Sequence, residues 1–97
     1  MHIEKQRNQN KLTLTLEGRL DTSTAPMLEA ELSTMDGVTE LVLDFAKLEY
    51  ISSAGLRVLL ATQKVMNKQG SMVIKNVNEV IMDIFQITGF IDILTIA

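Results

Sequence analysis

Leucines alternate with polar residues near the start of the chain, and this alternation predicts a β-strand with one buried face. The strand covers Leu12 to Leu16, in which threonines separate the three leucines. A weaker strand is predicted at Ile3 to Gln6, across a polar turn at positions 7–10. The two segments together suggest an opening β-hairpin.

Further along, apolar residues recur at helical spacing in three segments. The first helix is predicted to begin near Thr24 and to close at Gly37, because N-cap residues precede Pro26 and a glycine follows the apolar stripe. The second helix is predicted from Ala54 to Lys68, ending at Gly70, and the third ends at Gly89.

Two apolar runs between these helices predict buried strands. Leu41 to Phe45 is expected to be a central strand followed by a loop that reaches Ile51, and Met72 to Ile74 a further short strand. The segment from Ile91 to Ile96 fits either a strand or a helix. The order ββαβαβα plus this C-terminal segment predicts an α/β fold with an open, mixed, mostly parallel sheet.

Composition narrows the class of protein. A chain of 97 residues that is 46% apolar and 22% charged is expected to form one globular domain over residues 1–97. It has no cysteine, which excludes disulfides, a thiol nucleophile and a zinc knuckle, and its formal charge of −3 argues against binding to nucleic acid. We also expect no cofactor and no metal site. The polar first ten residues are unlike a signal peptide, and no apolar run approaches about 18 residues. We therefore expect a cytoplasmic protein without direct membrane insertion.

Three polar loops follow the predicted parallel strands, at 21–24, 44–53 and 76–78. In open α/β sheets such loops share the edge at which binding sites gather. Ser52 and Ser53 lie where the second loop becomes a helix, and a helix N-terminus can hold a phosphate at low electrostatic cost. The alternative is a purely structural role, in which these serines, like Asp21 and Thr24, only cap helices.

Gly55 lies in the first turn of the predicted second helix, where a glycine costs up to about 1 kcal/mol relative to alanine. A missing side chain at this position would let another protein's backbone or a nucleotide approach the serines closely. The glycine therefore favours a docking surface.

Enzymatic readings have little support. The only histidine is His2, near the chain start, so a serine nucleophile lacks a base. No nucleophile elbow, phosphate-binding glycine loop or paired-histidine zinc motif occurs. Asp44 and Glu49 are carboxylates in one predicted loop without further support for acid–base chemistry. We expect a protein that is not an enzyme and has no catalytic residue.

Leu48 to Leu60, reading L-E-Y-I-S-S-A-G-L-R-V-L-L, resembles the STAS domains of bacterial anti-sigma factor antagonists. The likeness extends to G-R-L-D-T-S-T-A at Gly18 to Ala25, to the V-L-D-F run, and to I-T-G-F at Ile87 to Phe90. Its most specific part is the serine followed two residues later by Gly-Leu.

The resemblance implies a partner-switching regulator. The unmodified antagonist would bind an anti-sigma factor that is also a serine kinase, phosphorylation by that kinase would end the interaction, and a PP2C-type phosphatase would restore it. The family's phosphoacceptor maps onto Ser53, and Ser52 replaces the usual aspartate and is a candidate second acceptor. The implied partner-binding residues are Asp21, Thr22, Thr24, Ser52, Ser53, Ala54, Gly55, Leu56 and Arg57.

Two alternatives stay open at this point. STAS domains also occur as accessory subunits of lipid or anion transport complexes, in which case a membrane complex would copurify. A small acidic carrier protein also displays a serine at a helix start, but the strand at Leu12 to Leu16 and the run at Leu41 argue against that all-helical fold. A nucleotide-binding module would need a Gly-rich phosphate loop, which the chain lacks.

Overall fold

The computed structural model describes every residue from Met1 to Ala97. Four strands, three α-helices and one 3₁₀ turn follow one another along the chain. They are β1 (His2–Asn8), β2 (Lys11–Leu20), α1 (Ala25–Glu31), β3 (Glu40–Ile51), α2 (Ser53–Gln69), β4 (Ser71–Lys75), α3 (Glu79–Thr88) and the 3₁₀ turn (Phe90–Asp92).

The strands form one sheet in the order β1-β2-β3-β4. β1 pairs antiparallel with β2, whereas β2 with β3 and β3 with β4 are parallel pairs connected through α1 and α2. This arrangement confirms the predicted α/β fold, its opening hairpin and its mixed, mostly parallel sheet.

One face of the sheet carries the core. Leu12 lies opposite Leu41, and Leu14 opposite Leu43, so the leucines of neighbouring strands point to the same side. Apolar residues of all three helices join them in one cluster. The other face is more polar, and Thr13 lies beside Val42 there.

β3 differs most from the sequence prediction, because the segment 44–51 is strand and not loop. Lys47 and Leu48 pair with β2, and so do the last residues of β3. Two register shifts in the β2–β3 pair let the pairing continue to Ile51. The strand persists because backbone hydrogen bonds do not depend on its polar side chains, and because Leu48 and Ile51 remain buried.

The first helix is also shorter than predicted. α1 ends at Glu31, six residues before the expected closing residue Gly37. The Ser33 hydroxyl donates to the Ala30 carbonyl at 2.7 Å, and turn-forming residues follow. Met35 is buried even so, because an irregular segment carries it into the core.

The ends of the other helices agree with the prediction. α3 stops at Gly89, and α2 stops at Gly70. At Gly70 the backbone is extended, with φ 172°, a conformation that any residue can adopt. The glycine is required because the Thr39 backbone carbonyl occupies the position that a Cβ atom would take.

The C-terminal segment is neither of the two predicted elements. It forms the 3₁₀ turn and then a single parallel bridge between Ile74 and Ile96. None of the helices has the length and apolar content needed to span a membrane.

Candidate functional site

The carboxyl ends of β2 and β3 meet at one edge of the sheet, as their parallel pairing requires. The Ser52 amide donates to the Leu20 carbonyl at 2.9 Å, which ties the start of α2 to the end of β2. The loop after β2 and the serines after β3 are therefore neighbours, as predicted.

The third predicted loop does not reach this position. β4 ends opposite Asp44, and the Asn78 side-chain Nδ2 atom donates to the Leu48 carbonyl at 2.9 Å. Ile51 lies three residues further along β3, a distance of about 10 Å in a strand. The segment 76–78 therefore lies at the same carboxyl edge, as predicted, but it contacts Asp44 and Leu48 of β3 and not the serines, because β3 extends well beyond β4.

Asp21 organises the turn before α1. Its Oδ1 atom accepts from the Ser23 hydroxyl at 2.7 Å and from the amides of Ser23 and Thr24 at 3.0 and 3.2 Å. The hydrogen bond from the Ser23 hydroxyl is the main cause that holds the pKa of Asp21 below its ordinary value of 3.8. Asp21 is therefore a carboxylate at neutral pH, and it builds the turn as well as facing solvent.

Thr24 fixes the same turn from the other side. Its hydroxyl donates to the Arg19 carbonyl and accepts from the Asp21 amide, each at 2.8 Å. Thr24 occupies the N-cap position of α1, but it makes no side-chain cap bond, because its hydroxyl is used for these two contacts.

Arg19 and Tyr50 are site residues that the sequence did not indicate. They lie side by side on β2 and β3, and the Arg19 guanidinium carbon stands 4.6 Å from the centroid of the Tyr50 ring. The Arg19 Nε atom is 3.9 Å from Oδ2 of Asp21. A positive charge thus stands beside the turn. The pairing depends on the two register shifts, for which the sequence gives no local signal.

The two serines have different environments. Ser53 is the first residue of α2 and is exposed, whereas the hydroxyl oxygen of Ser52 is buried and has no hydrogen-bond partner. The candidate role of Ser52 as a second phosphoacceptor conflicts with this burial, because an enclosed oxygen cannot reach another enzyme. Ser53 presents the accessible hydroxyl of the pair.

The N-terminus of α2 has neither a side-chain cap nor a nearby acidic residue in its first turn. The first helical bond runs from the Leu56 amide to the Ser52 carbonyl, so the preceding amides have no acceptor within the helix. The partial positive charge of the helix end is uncompensated there.

Gly55 faces the interior, and its interpretation as an opening for a partner is wrong. A Cβ atom at Gly55 would stand 2.7 Å from Cγ of Leu20 and 2.8 Å from Cγ1 of Ile51. The missing side chain lets the start of α2 pack on the ends of β2 and β3. Leu56 is only 7% exposed and belongs to the core, so it offers a partner almost no surface.

A cleft between α1 and α2 begins at Ala54, the residue after Ser53. It holds a cavity of about 410 Å³ lined by three of the predicted partner-binding residues, Thr22, Ala54 and Arg57. A second cavity of about 320 Å³ continues along the same two helices. Both cavities are lined by Glu29, Val58 and Ala61. The structure thus brings Thr22, Ala54 and Arg57 of the predicted set together at one cavity.

Comparison with known proteins agrees with this architecture. The family model described as "Mlab, STAS domain" matches residues 3–95. BtrV of Bordetella bronchiseptica, which is named an anti-sigma factor antagonist, is 38% identical over 89 residues, covering 89% of this chain and 77% of BtrV.

Solved structures share the fold at low sequence identity. An anti-sigma factor antagonist from Mycobacterium paratuberculosis superposes with a TM-score of 0.85 at 21% identity, covering 98% of this chain and 83% of that one. The Bacillus cell fate determinant SpoIIAA in its phosphorylated form has a TM-score of 0.77 at 20% identity, covering 99% and 91%. The fold, the matched family model and the relative BtrV agree. The chain therefore belongs to the STAS domain family, as its resemblance to the anti-sigma factor antagonists predicted.

Proposed function

We propose that this protein is an anti-sigma factor antagonist that works by partner switching. In its unmodified form it binds an anti-sigma factor that is also a serine kinase, and phosphorylation of Ser53 releases it. The observation that carries this proposal is the exposure of Ser53 at the uncapped start of α2, while the neighbouring Ser52 hydroxyl is enclosed. The name of the relative BtrV supports the same regulatory class.

The start of α2 is suited to carry the modification. A phosphate adds about −1.5 to −2 charges at neutral pH, next to free amides and the positive end of the helix. Arg57 lies four residues after Ser53, so the two side chains are neighbours on the helix surface. Arg57 is exposed and makes no ion pair in the unmodified protein. It is therefore free to pair with the phosphate.

This pairing would also explain release. A kinase docked around Ser53 and the cleft rim at Thr22, Ala54 and Arg57 would meet new bulk and a charge that must lose its water. The phosphate would in addition engage Arg57 within the antagonist, which removes a positive contact from the interface. A PP2C-type phosphatase would restore the binding surface by removing the phosphate.

The chain itself has no catalytic role in this scheme. Its only histidine, His2, lies on β1 with its Nε2 atom 3.5 Å from a carboxylate oxygen of Glu4. This chain is the substrate, since it carries the reacting hydroxyl of Ser53. The partner kinase and phosphatase supply the catalysis.

The test uses the purified chain and the anti-sigma factor kinases encoded in the same genome. Calorimetry should show that Ser53→Asp loses binding to one of them, whereas Ser53→Ala and the matched control Ser52→Ala bind like the wild type. With ATP, intact mass should show one phosphate on the wild type and on Ser52→Ala, and none on Ser53→Ala. Equal binding by Ser53→Asp, or a phosphate on Ser53→Ala, would contradict the proposal.

The transport-subunit alternative makes a different prediction. If the chain were an accessory subunit, affinity purification from native membranes would recover a transport complex, and Ser53→Asp would have no selective effect on a soluble kinase. The relative BtrV favours the antagonist. The affinity purification from native membranes distinguishes the two functions.

A further inference from the structure

The outward side of α3 carries an apolar line that the core leaves largely exposed. Ile87 is 85% exposed and Val80 54% exposed, and Ile84 between them is only partly buried. Positions 80, 84 and 87 follow the spacing that places residues on one side of a helix. Ile81 and Phe85 are fully buried and attach α3 to the core from its other side. We call Val80, Ile84 and Ile87 the α3 stripe.

The charges on α3 and on the segment that follows it have one sign. All nine lysines and arginines precede residue 76, where nine acidic residues balance them. The remaining acids, Glu79, Asp83 and Asp92, therefore account for the entire formal charge of −3. Asp83 lies three residues after Val80 and four before Ile87, directly beside the stripe. None of the three acids forms an ion pair in the structure.

We propose that the α3 stripe is a docking surface for an amphipathic helix of a partner protein. The apolar face of that helix would be bordered by lysines or arginines. An apolar line bordered by unpaired carboxylates is complementary to such a helix in both hydrophobicity and charge. α3 has 10 residues. At the α-helical rise its length is about 15 Å, which matches roughly three turns of a partner helix.

The same charges argue against other occupants. A second copy of the chain would place acids against acids, which weakens association. The cytoplasmic surface of a bilayer is commonly anionic and would repel the surface as well. The stripe shares no residue with the candidate site around Ser53, so this proposal goes beyond the proposed function and does not depend on it.

The experiment uses the ¹⁵N-labelled full chain and two synthetic amphipathic peptides, one built from leucine and lysine and one with glutamate in place of lysine. We expect the Leu/Lys peptide to shift the amide resonances of residues 79–93, and the Leu/Glu peptide to leave them unchanged. Ile87→Ser should weaken binding of the Leu/Lys peptide about tenfold or more, because a largely exposed isoleucine becomes buried in the complex. The matched control Val65→Ser changes a valine on α2 that is 45% exposed and should bind like the wild type.

A charge reversal tests the electrostatic part separately. The double variant Glu79→Lys/Asp83→Lys should bind the Leu/Glu peptide in preference to the Leu/Lys peptide, with a Tm a few degrees below that of the wild type, because Glu79 lies in the first turn of α3, where a negative charge is favourable. Shifts centred on the α1–α2 cleft, or equal affinity for both peptides, would overturn the proposal. Dimerisation or vesicle binding that Ile87→Ser abolishes would overturn it too, since a second copy or a membrane would then be the occupant.

Discussion

Gly55→Ala distinguishes two roles for this glycine, an opening for a partner and a packing requirement of the fold. The new Cβ would stand 2.7 Å from Leu20 Cγ, 2.8 Å from Ile51 Cγ1 and 3.0 Å from Leu20 Cδ2. Overpacking of a core costs about 1–3 kcal/mol, and alanine regains about 1 kcal/mol of helix propensity. Because the contacts are with buried side chains next to the backbone, we expect a net loss of about 1–2 kcal/mol in the free energy of unfolding.

Urea titration and thermal unfolding measure this loss directly. In a domain of this size, each kcal/mol lowers Tm by about 4–8 °C. Ala61→Gly, at an exposed position of the same helix, calibrates helix propensity without a packing change. In a Leu20→Ala background the cost of Gly55→Ala should fall by about 1 kcal/mol, because the closest neighbour is gone. A Gly55→Ala protein as stable as the wild type, or more stable, but unable to bind its partner would refute the packing explanation.

Three further predictions concern hydrogen bonds in the candidate site and at the neighbouring ends of β3 and β4. Ser52→Ala should change the free energy of unfolding by less than about 0.5 kcal/mol in urea titration, since its hydroxyl makes no cap bond; a loss above about 1 kcal/mol would show that it caps α2 in solution. The pKa of Asp44 is lowered, mainly by the hydrogen bond from Asn76, so its folded-state pKa lies below the unfolded one. The stabilising contribution of the Asp44 carboxylate is therefore present above about pH 4 and is lost as pH falls through the folded-state pKa. The free energy of unfolding of the wild type should exceed that of Asp44→Asn by less at pH 3 than at pH 6. A difference that does not change with pH would contradict this. Thr24→Ala should lose about 1–2 kcal/mol by thermal unfolding and Thr22→Ala less than about 0.5, and equal losses would contradict the contacts of Thr24.

The elements with a clear local period were predictable from the sequence. The alternation at Leu12 to Leu16 and the helical spacing in α2 and α3 arise from residues that face one core, so each segment reports its own structure. The full length of β3 was not predictable, because the polar residues near Lys47 interrupt the apolar pattern. There the strand is maintained by pairing with β2, a partner that is distant in sequence.

The site shows the same division. Its location at the start of α2 follows from the order of strand, serines and helix. Which of two adjacent serines is accessible depends on the direction of each side chain at the helix start. Residue type and local pattern present Ser52 and Ser53 alike, and only the family resemblance distinguished them. Gly55 shows the same ambiguity, because a missing side chain does not reveal whether the space it leaves faces a partner or Leu20.

The first turn of α2 places its packing contacts and the exposed hydroxyl of Ser53 on different sides of the helix. Its inward contacts are the Ser52 amide on the Leu20 carbonyl, the packing of Gly55 and the buried side chain of Leu56. Ser53 takes part in none of these contacts and faces solvent at the positive end of the helix. Charge added at Ser53 therefore leaves every inward contact in place, while it changes the surface that a partner meets. In the proposed mechanism, a phosphate on Ser53 would end an interaction without unfolding the protein, because Ser53 points away from the contacts that hold the helix.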